Sequence, residues 1–317
     1  MTEGADSAGE VQVYLHGLLE RAFKSRPFDF TCSLLRVGGM MGPGCDPFEE
    51  SKEAFEATYN PLLAHAQEEH GGDSALRMGL LMYCQAIEMS APLELLANVV
   101  RCIAGQPFLI DPYRDGRIPA SKKKKKLPFA SRPPSVGWKM RKLLGDAEDS
   151  GEQELIEFVG GFFDENVRNA FSHSDYIITE HDFRWNDHGL LQVMALDELA
   201  DRIGKCFDFY GALLGLHGRW LREMVKVPRY HQWEQYEVLE LLANADEGLY
   251  GFQVHFSNGQ VARYTRSSSG NEAMNVRFEQ DGTLNFFVGD LGKLEPVWKI
   301  DGRPVTDWSE LDQSPSG

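Results

Sequence analysis

The sequence predicts an α+β chain: an N-terminal all-α helical bundle over residues 1–243 that carries a small β-hairpin, a small antiparallel β domain over 244–310, and a polar tail, 311–317. Three observations carry this prediction. Between Val11 and Met224, apolar residues recur at three-and-four spacing in segment after segment, the period of amphipathic helices. From Asn244 onward that period gives way to runs rich in Val, Phe, Tyr and Thr. The runs are punctuated by Asn258-Gly259, Asp281-Gly282 and Asp301-Gly302, dipeptides suited to tight hairpin turns.

Each element follows in order. Val11 to Lys24 reads as a helix with Val11, Leu15, Leu18, Leu19 and Ala22 on one stripe, and Arg26 to Pro47 as an irregular, Gly- and Pro-rich segment. Its glycines (Gly38, Gly39, Gly42, Gly44) lack the Lys-Ser or Lys-Thr pair of a phosphate-binding loop, so a plain loop is expected. Glu49 to Gln67 resumes helix, with Phe55, Thr58, Tyr59 and Leu62 inward. The next helix, N-capped by Asp73 or Ser74, runs through Ile87 and is apolar all round, which predicts a central position. Pro92 marks a kink or a new start, and Leu93 to Ala104 sets Leu96, Val99, Val100 and Ile103 against a stripe of Glu94, Asn98 and Arg101.

Phe108 to Pro134 has no periodicity. Leu155 to Phe171 reads as one helix, with a kink or close contact at Gly160-Gly161. Tyr176 to Ile178 and Leu190 to Val193 flank Asn186-Asp187-His188-Gly189 and predict a hairpin over 176–195, exposing His181 and His188. A long helix follows over Leu196 to Met224, then a helix or helical linker over Pro228 to Ala243 anchored by Trp233 and Tyr236. In the last domain, strands are expected at 250–256, 261–265, 275–278, 284–288 and 297–300.

Composition narrows the function classes. No run of about 18 apolar residues occurs and the first residues carry Glu3, Asp6 and Glu10, so a cytoplasmic protein without a membrane partner is expected. The five cysteines (Cys32, Cys45, Cys84, Cys102, Cys206) are dispersed and form no Cys-x-x-Cys pair, which disfavours both a disulfide framework and a zinc site. Free, buried thiols and no metal or other cofactor are expected. A formal charge of −16 disfavours nonspecific coating of nucleic acid. The positive charge is nonetheless concentrated: the basic loop 113–142 holds eleven Lys and Arg against one acid, Asp115. Its run Lys122, Lys123, Lys124, Lys125 and Lys126 reads as a solvated loop or as a phosphate-steering patch.

The stretch that offers chemistry is Asp164 to Tyr176, where Arg168, Asn169 and His173 stand at the end of a predicted helix. Metal-free RNA cleavage needs a base for the ribose 2′-hydroxyl, an acid for the leaving 5′-oxygen and a cation for the charge on phosphorus. Histidine suits proton transfer near neutral pH, and arginine keeps its charge and donates two parallel hydrogen bonds to a phosphate. On a continuous helix the two residues would lie about 140° apart around the axis and about 7.5 Å apart along it. A shared site therefore requires the helix to end near Ser172, or a second chain. The same residues also fit a plainer reading, in which Asp164 pairs with Arg168 at i,i+4 and His173 caps the helix C-terminus.

The Arg-Asn-x-x-x-His spacing at 168–173, continued by the run RNAFSHSDYIITEHDFRW, resembles the HEPN superfamily over roughly residues 74–224. The resemblance implies a helical fold and a homodimeric, metal-independent endoribonuclease that leaves a 2′,3′-cyclic phosphate, as in toxins and defence effectors. It implies RNA as a partner and an antitoxin or other regulatory protein as a second. In that scheme Arg168 stabilises the phosphate, Asn169 orients it or the histidine, and His173 is the acid or base. Glu94 or Asn98 would border the cleft from an earlier helix. The superfamily also contains inactive members, so a noncatalytic module binding RNA, a nucleotide or a protein stands as the alternative.

Overall fold

The computed structural model describes residues 4–35, 47–66, 72–109, 111–119, 131–132, 134–226, 229–233, 237–246, 248–255, 261–267, 270–273, 277–278, 284–285, 299–300 and 303–304. The chain divides into two compact units: Met1–Gly38, Phe48–Arg117 and Pro133–His217 make the first, and Gly39–Pro47, Ile118–Arg132 and Gly218–Gly317 the second. The architecture is α+β, mostly helical with antiparallel sheets.

The first unit is built on α1 (Gly4–Ser25), α2 (Pro27–Leu35), α3 (Pro47–Ala66), α4 (Gly72–Glu88) and α5 (Ser90–Ile103). The predicted stripe of α1 is buried at Val11, Leu15, Leu18, Leu19 and Ala22 and packs against α5. The segment expected to be irregular contains α2, opened by a proline at its first position, where the missing N–H costs nothing. Phe30 and Leu34 anchor it in the core, while Thr31 and Ser33 hydroxyls donate back to Pro27 O and Asp29 O, each at 2.8 Å. Asp29 receives Arg26 Nε at 2.7 Å and the Phe108 amide at 2.7 Å, and it thereby ties the chain after α5 to α2. The glycines at 38–44 lie outside the described residues.

The helical face of α4 is less uniform than expected. Leu80, Met82, Tyr83, Ala86 and Ile87 are buried, but Leu81 is 61% exposed. Beyond α5 come a two-residue ladder of β1 (Ile118–Pro119) and β2 (Ser131–Arg132), then α6 (Val136–Asp149), which the basic-loop reading of 113–142 did not anticipate. Ser135 caps α6 by accepting from the Trp138 amide, and Gly151, at φ 76°, ends it. Lys139 is buried with its ammonium 2.7 Å from Ser90 Oγ, Arg141 pairs with Glu165 at 2.7 Å and Lys142 with Asp146 at 2.8 Å. All three cations thus have partners within the fold, although the Arg141 side chain stays 64% exposed. Lys122 to Lys126 lie outside the described residues.

The single helix expected over 155–171 is two: α7 (Gln153–Phe162) and α8 (Glu165–Ser172). The break falls at Phe163-Asp164, beginning two residues past the glycine pair. Tyr83, 1% exposed, holds it open, donating its hydroxyl to Phe162 O at 2.9 Å and accepting the Asp164 amide at 3.0 Å. One buried phenol thus satisfies two backbone groups that a helix break would orphan.

After α8, β3 (Tyr176–Ile178), β4 (Asp182–Asp187) and β5 (Leu190–Ala195) form a three-stranded antiparallel sheet, one strand more than the hairpin reading. His188 and Gly189 take φ 50° and 84° in the β4–β5 turn, positive angles that match the turn to the strand twist. The inner face is a row of rings: Phe171, Tyr176, Phe183 and Trp185 follow one another at 5.3, 5.3 and 5.6 Å between centroids. Ile177, Arg184 and Val193 align across the other face, where Ile177, Leu191 and Val193 are exposed. The long helix α9 (Leu196–Glu223) then buries Leu199, Ile203, Cys206, Phe207, Phe209, Tyr210 and Leu213. Phe55 and Tyr59 of α3 meet Phe207 edge to face, and His217 Nε2 donates to Leu34 O at 2.7 Å.

In the second unit, Tyr230–Trp233 and Glu237–Asn244 are strands β6 and β7, not the helix predicted over 228–243. They begin a five-stranded meander with β8 (Gly248–His255), β9 (Val261–Ser267) and β10 (Gly270–Ala273), ordered β10-β9-β8-β7-β6. The side chains of Trp233 and Tyr236, expected as anchors, lie outside the described residues, as do the turns at Asn258-Gly259, Asp281-Gly282 and Asp301-Gly302. Later strands are two-residue ladders, β11 (Arg277–Phe278) with β12 (Leu284–Asn285) and β13 (Lys299–Ile300) with β14 (Arg303–Pro304).

Candidate active site at the end of the motif helix

Helix α8 is fixed at both ends. At its start, Asp164 is the N-cap, its carboxylate accepting from the Asn166 and Val167 amides at 2.9 and 3.1 Å. The plainer reading of Asp164, an ion pair with Arg168, is therefore replaced by a cap. At the next residue, the Glu165 carboxylate lies over Gly137 of α6, so close that a Cβ at Gly137 would fall 2.0 Å from Glu165 Oε1. Only glycine allows this approach while the carboxylate stays bound to Arg141. Val167 and Ala170 bury the inner side.

The far end stops after Ser172, but His173 still follows the helix, its amide donating to Asn169 O at 2.9 Å, and the chain turns only at Ser174. His173 is the C-cap, with φ −93° and ψ 0°. Ser174 follows at φ 58°, and the amides of Ser174 and Asp175 donate to Phe171 O at 3.0 Å and Ala170 O at 2.9 Å. These two bonds make a Schellman stop. The same pair of bonds ends α5 at Gly105 and α6 at Gly151, but there the left-handed residue is glycine. At α8 it is serine, a conformation that costs a non-glycine residue about 1–2 kcal/mol. The His173 side chain is exposed.

Between these ends, α8 lies along α4 with two matched i,i+4 pairs, Cys84 and Glu88 on one helix, Arg168 and Ser172 on the other. Arg168 Nη2 pairs with Glu88 Oε1, the side chains being 25% and 43% exposed. Arg168 Nη1 donates to Asn169 Oδ1 at 2.7 Å. The Cys84 thiol is pushed up by burial, against a hydrogen bond with Ser172 and the Arg168 charge, both of which favour the thiolate. The buried Nε of Arg168 has no hydrogen-bond partner among the described residues. A guanidinium offers five donors; here one group of this cation is held by an acid, one by the neighbouring amide, and the inner N–H is unsatisfied.

The structure brings Arg168 and Asn169 into direct contact and puts His173 at the capped end of the same short helix. It does not bring Asn98 to them. Asn98 is 1% exposed, and its amide clamps the Leu109 backbone, accepting from Leu109 N at 2.8 Å and donating to Leu109 O at 2.9 Å. That engagement leaves it no amide group for a substrate. Glu94 is half-buried on the same helix α5 and lies within electrostatic reach of Tyr113, whose ionisation it opposes after burial. The acid that an earlier helix presents to Arg168 is Glu88, which sequence reasoning passed over. A signal existed: Glu88 occupies the last turn of α4, where the negative end of the helix dipole disfavours a carboxylate, so a cation beside it was to be expected. His181 and His188 are both exposed, as predicted. Cys32, Cys84, Cys102 and Cys206 are free thiols, the last three buried.

No helix among the described residues is long and apolar enough to cross a membrane. No family model matches the chain, and neither a curated protein nor a solved structure does.

Proposed function

We infer that the chain is a metal-independent endoribonuclease, working as a homodimer, whose phosphate-binding and proton-transferring groups are Arg168 and His173. The observation that supports this reading is that Arg168, in direct contact with Asn169, and an exposed His173 stand within the last turns of α8; a second chain would bring an imidazole to the arginine. In this reading Arg168 receives the charge that builds on the phosphoryl oxygens, and Asn169 holds the guanidinium plane at its Nη1 edge. His173 moves a proton to or from the ribose 2′-oxygen or the leaving 5′-oxygen, and its copy in a second chain supplies the complementary transfer. Ile177, Leu191 and Val193, exposed on the outer face of the sheet that follows α8, provide an uncovered apolar surface of the kind that pairs chains. A role as a toxin or defence effector under a regulatory protein belongs to the same proposal.

The experiment is cleavage of single-stranded RNA in EDTA by the full chain, by Arg168→Ala and by His173→Ala. The reading expects cleavage by the unaltered chain and at least about a hundredfold loss in each variant, the usual scale for removing a proton-transfer or charge-stabilising group. Equal activity in all three overturns it.

One observation favours a second reading. The Glu88 carboxylate already neutralises Arg168, as suits a noncatalytic module in which the pair fastens α4 to α8. That reading expects RNA, a nucleotide or a protein to bind without any cleaved product, and binding to persist in His173→Ala.

A further inference from the structure

Away from α8, the first unit has an open groove of about 920 Å3 between α1, α7 and α9. Its floor is aromatic: the Tyr14 and Phe158 rings lie 5.2 Å apart and Phe209 is buried beside them. The Tyr14 hydroxyl is committed to Glu152 at 3.1 Å, and Glu152 also holds Arg21 at 2.6 Å. The Arg21 guanidinium lies 5.9 Å from the Tyr14 ring centroid, so what Tyr14 lends the groove is apolar ring surface rather than a vacant cation seat. Helical spacing puts Glu154, Glu157, Phe158 and Gly161 on one face of α7, and Glu10, Val13 and Tyr14 on one face of α1. Gly161 keeps the groove open, since a Cβ there would meet only Lys205 Cδ, at 3.7 Å. Val13, at the rim, is 73% exposed.

The charge around this apolar floor is one-sided. Glu10, Glu154 and Glu157 are exposed and line the groove, and none has an ion-pair partner among the described residues. The one lining cation, Lys205, is bound to Asp201 at 2.6 Å. Carboxylates at the rim of an aromatic floor repel RNA and other anions and attract a cation that can also lie on ring faces. A bare metal ion fits poorly, because no group of three His, Cys, Asp or Glu side chains among the described residues converges closely enough to hold one. The volume falls within the range of small-molecule sites, about 300–1,000 Å3.

We propose that this groove binds a compact organic ammonium ligand, its apolar body on Tyr14, Phe158 and Phe209 and its charged nitrogen among Glu10, Glu154 and Glu157. The site is separate from Arg168 and His173 and does not depend on their role.

Isothermal titration of the full chain at low salt tests it, with phenethylammonium as the probe and 2-phenylethanol and potassium ion as controls. The expected result is saturable binding of the ammonium, at least about tenfold tighter than the alcohol, with no heat from potassium. The double exchange Glu154→Gln/Glu157→Gln, on exposed helix positions, weakens binding at least about tenfold while circular dichroism stays unchanged. Gly161→Leu fills the groove without altering its charge and abolishes binding. No saturable heat, equal affinity for the alcohol, or full affinity in both variants overturns the proposal.

Discussion

Glu88 and Ser174 each break a local rule beside the motif. A carboxylate in the last turn of α4 opposes the helix dipole, and the Arg168 guanidinium offsets that opposition. If Arg168 serves a phosphate, Glu88 competes for the seat, so Glu88→Gln should tighten RNA binding by up to about fivefold, a surface charge pair being worth up to about 1 kcal/mol. A filter-binding titration checks it; unchanged affinity with a lowered melting temperature would mean that the pair only fastens two helices. Ser174 stands at φ 58° where α5 and α6 use glycine. Ser174→Gly should raise stability by about 0.5–1 kcal/mol in a urea melt, relieving the left-handed strain. The motif residues themselves, Arg168, Asn169 and His173, were legible in the sequence because they sit within six consecutive positions. Glu88 was legible only as an acid in a last turn in want of some cation; that the cation is Arg168 appears only once α4 and α8 are side by side.

Two glycines show how unequal a close approach can be at the level of an element. At Gly137 an added methyl would meet the end of the Glu165 side chain, which can swing away at the loss of the exposed Arg141 pair. Gly137→Ala should therefore cost less than about 1 kcal/mol. At Gly248, which opens β8 at φ 75°, the methyl would meet backbone, Leu221 O at 2.5 Å and Arg222 Cα at 2.7 Å. Gly248→Ala should cost at least about 2 kcal/mol, since neither the angle nor the neighbour can yield; parallel denaturant melts compare the two. The elements themselves were read unevenly. Stripes such as that of α1 were plain in the sequence. The segment 237–244, EVLELLAN, reads as helix from its Leu, Glu and Ala content, yet β6 and β8 claim it as the central partner of two ladders. Tertiary pairing outweighed propensity there. The break between α7 and α8 was displaced from Gly160-Gly161 for a similar reason, since the Tyr83 hydroxyl that stabilises it arrives from another helix.

On the scale of the whole molecule, charge is organised differently from what sequence position suggested. Of the basic segment 113–142, Lys139, Arg141 and Lys142 are engaged in α6, which leaves Lys122 to Lys126 as the run for a steering test. In the second unit, Glu240 is 5% exposed. Burial raises its pKa, but hydrogen bonds from His255 and Gln253 and the Arg229 charge outweigh burial and hold it below its ordinary 4.5. A depressed carboxyl contributes stability that is complete above the unfolded value and is lost as pH falls through the folded one. Stability should thus decline below about pH 4.5, and Glu240→Gln should flatten that part of the curve in urea melts taken across it.

The chemistry of the RNA ends bears most directly on Arg168 and His173. Digestion of a defined single-stranded RNA in EDTA, with mass analysis of the fragments, should give 2′,3′-cyclic phosphates and 5′-hydroxyls from the unaltered chain and none from His173→Ala. Fragments ending in 3′-hydroxyls and 5′-phosphates, or the same cyclic ends from His173→Ala, would contradict the account.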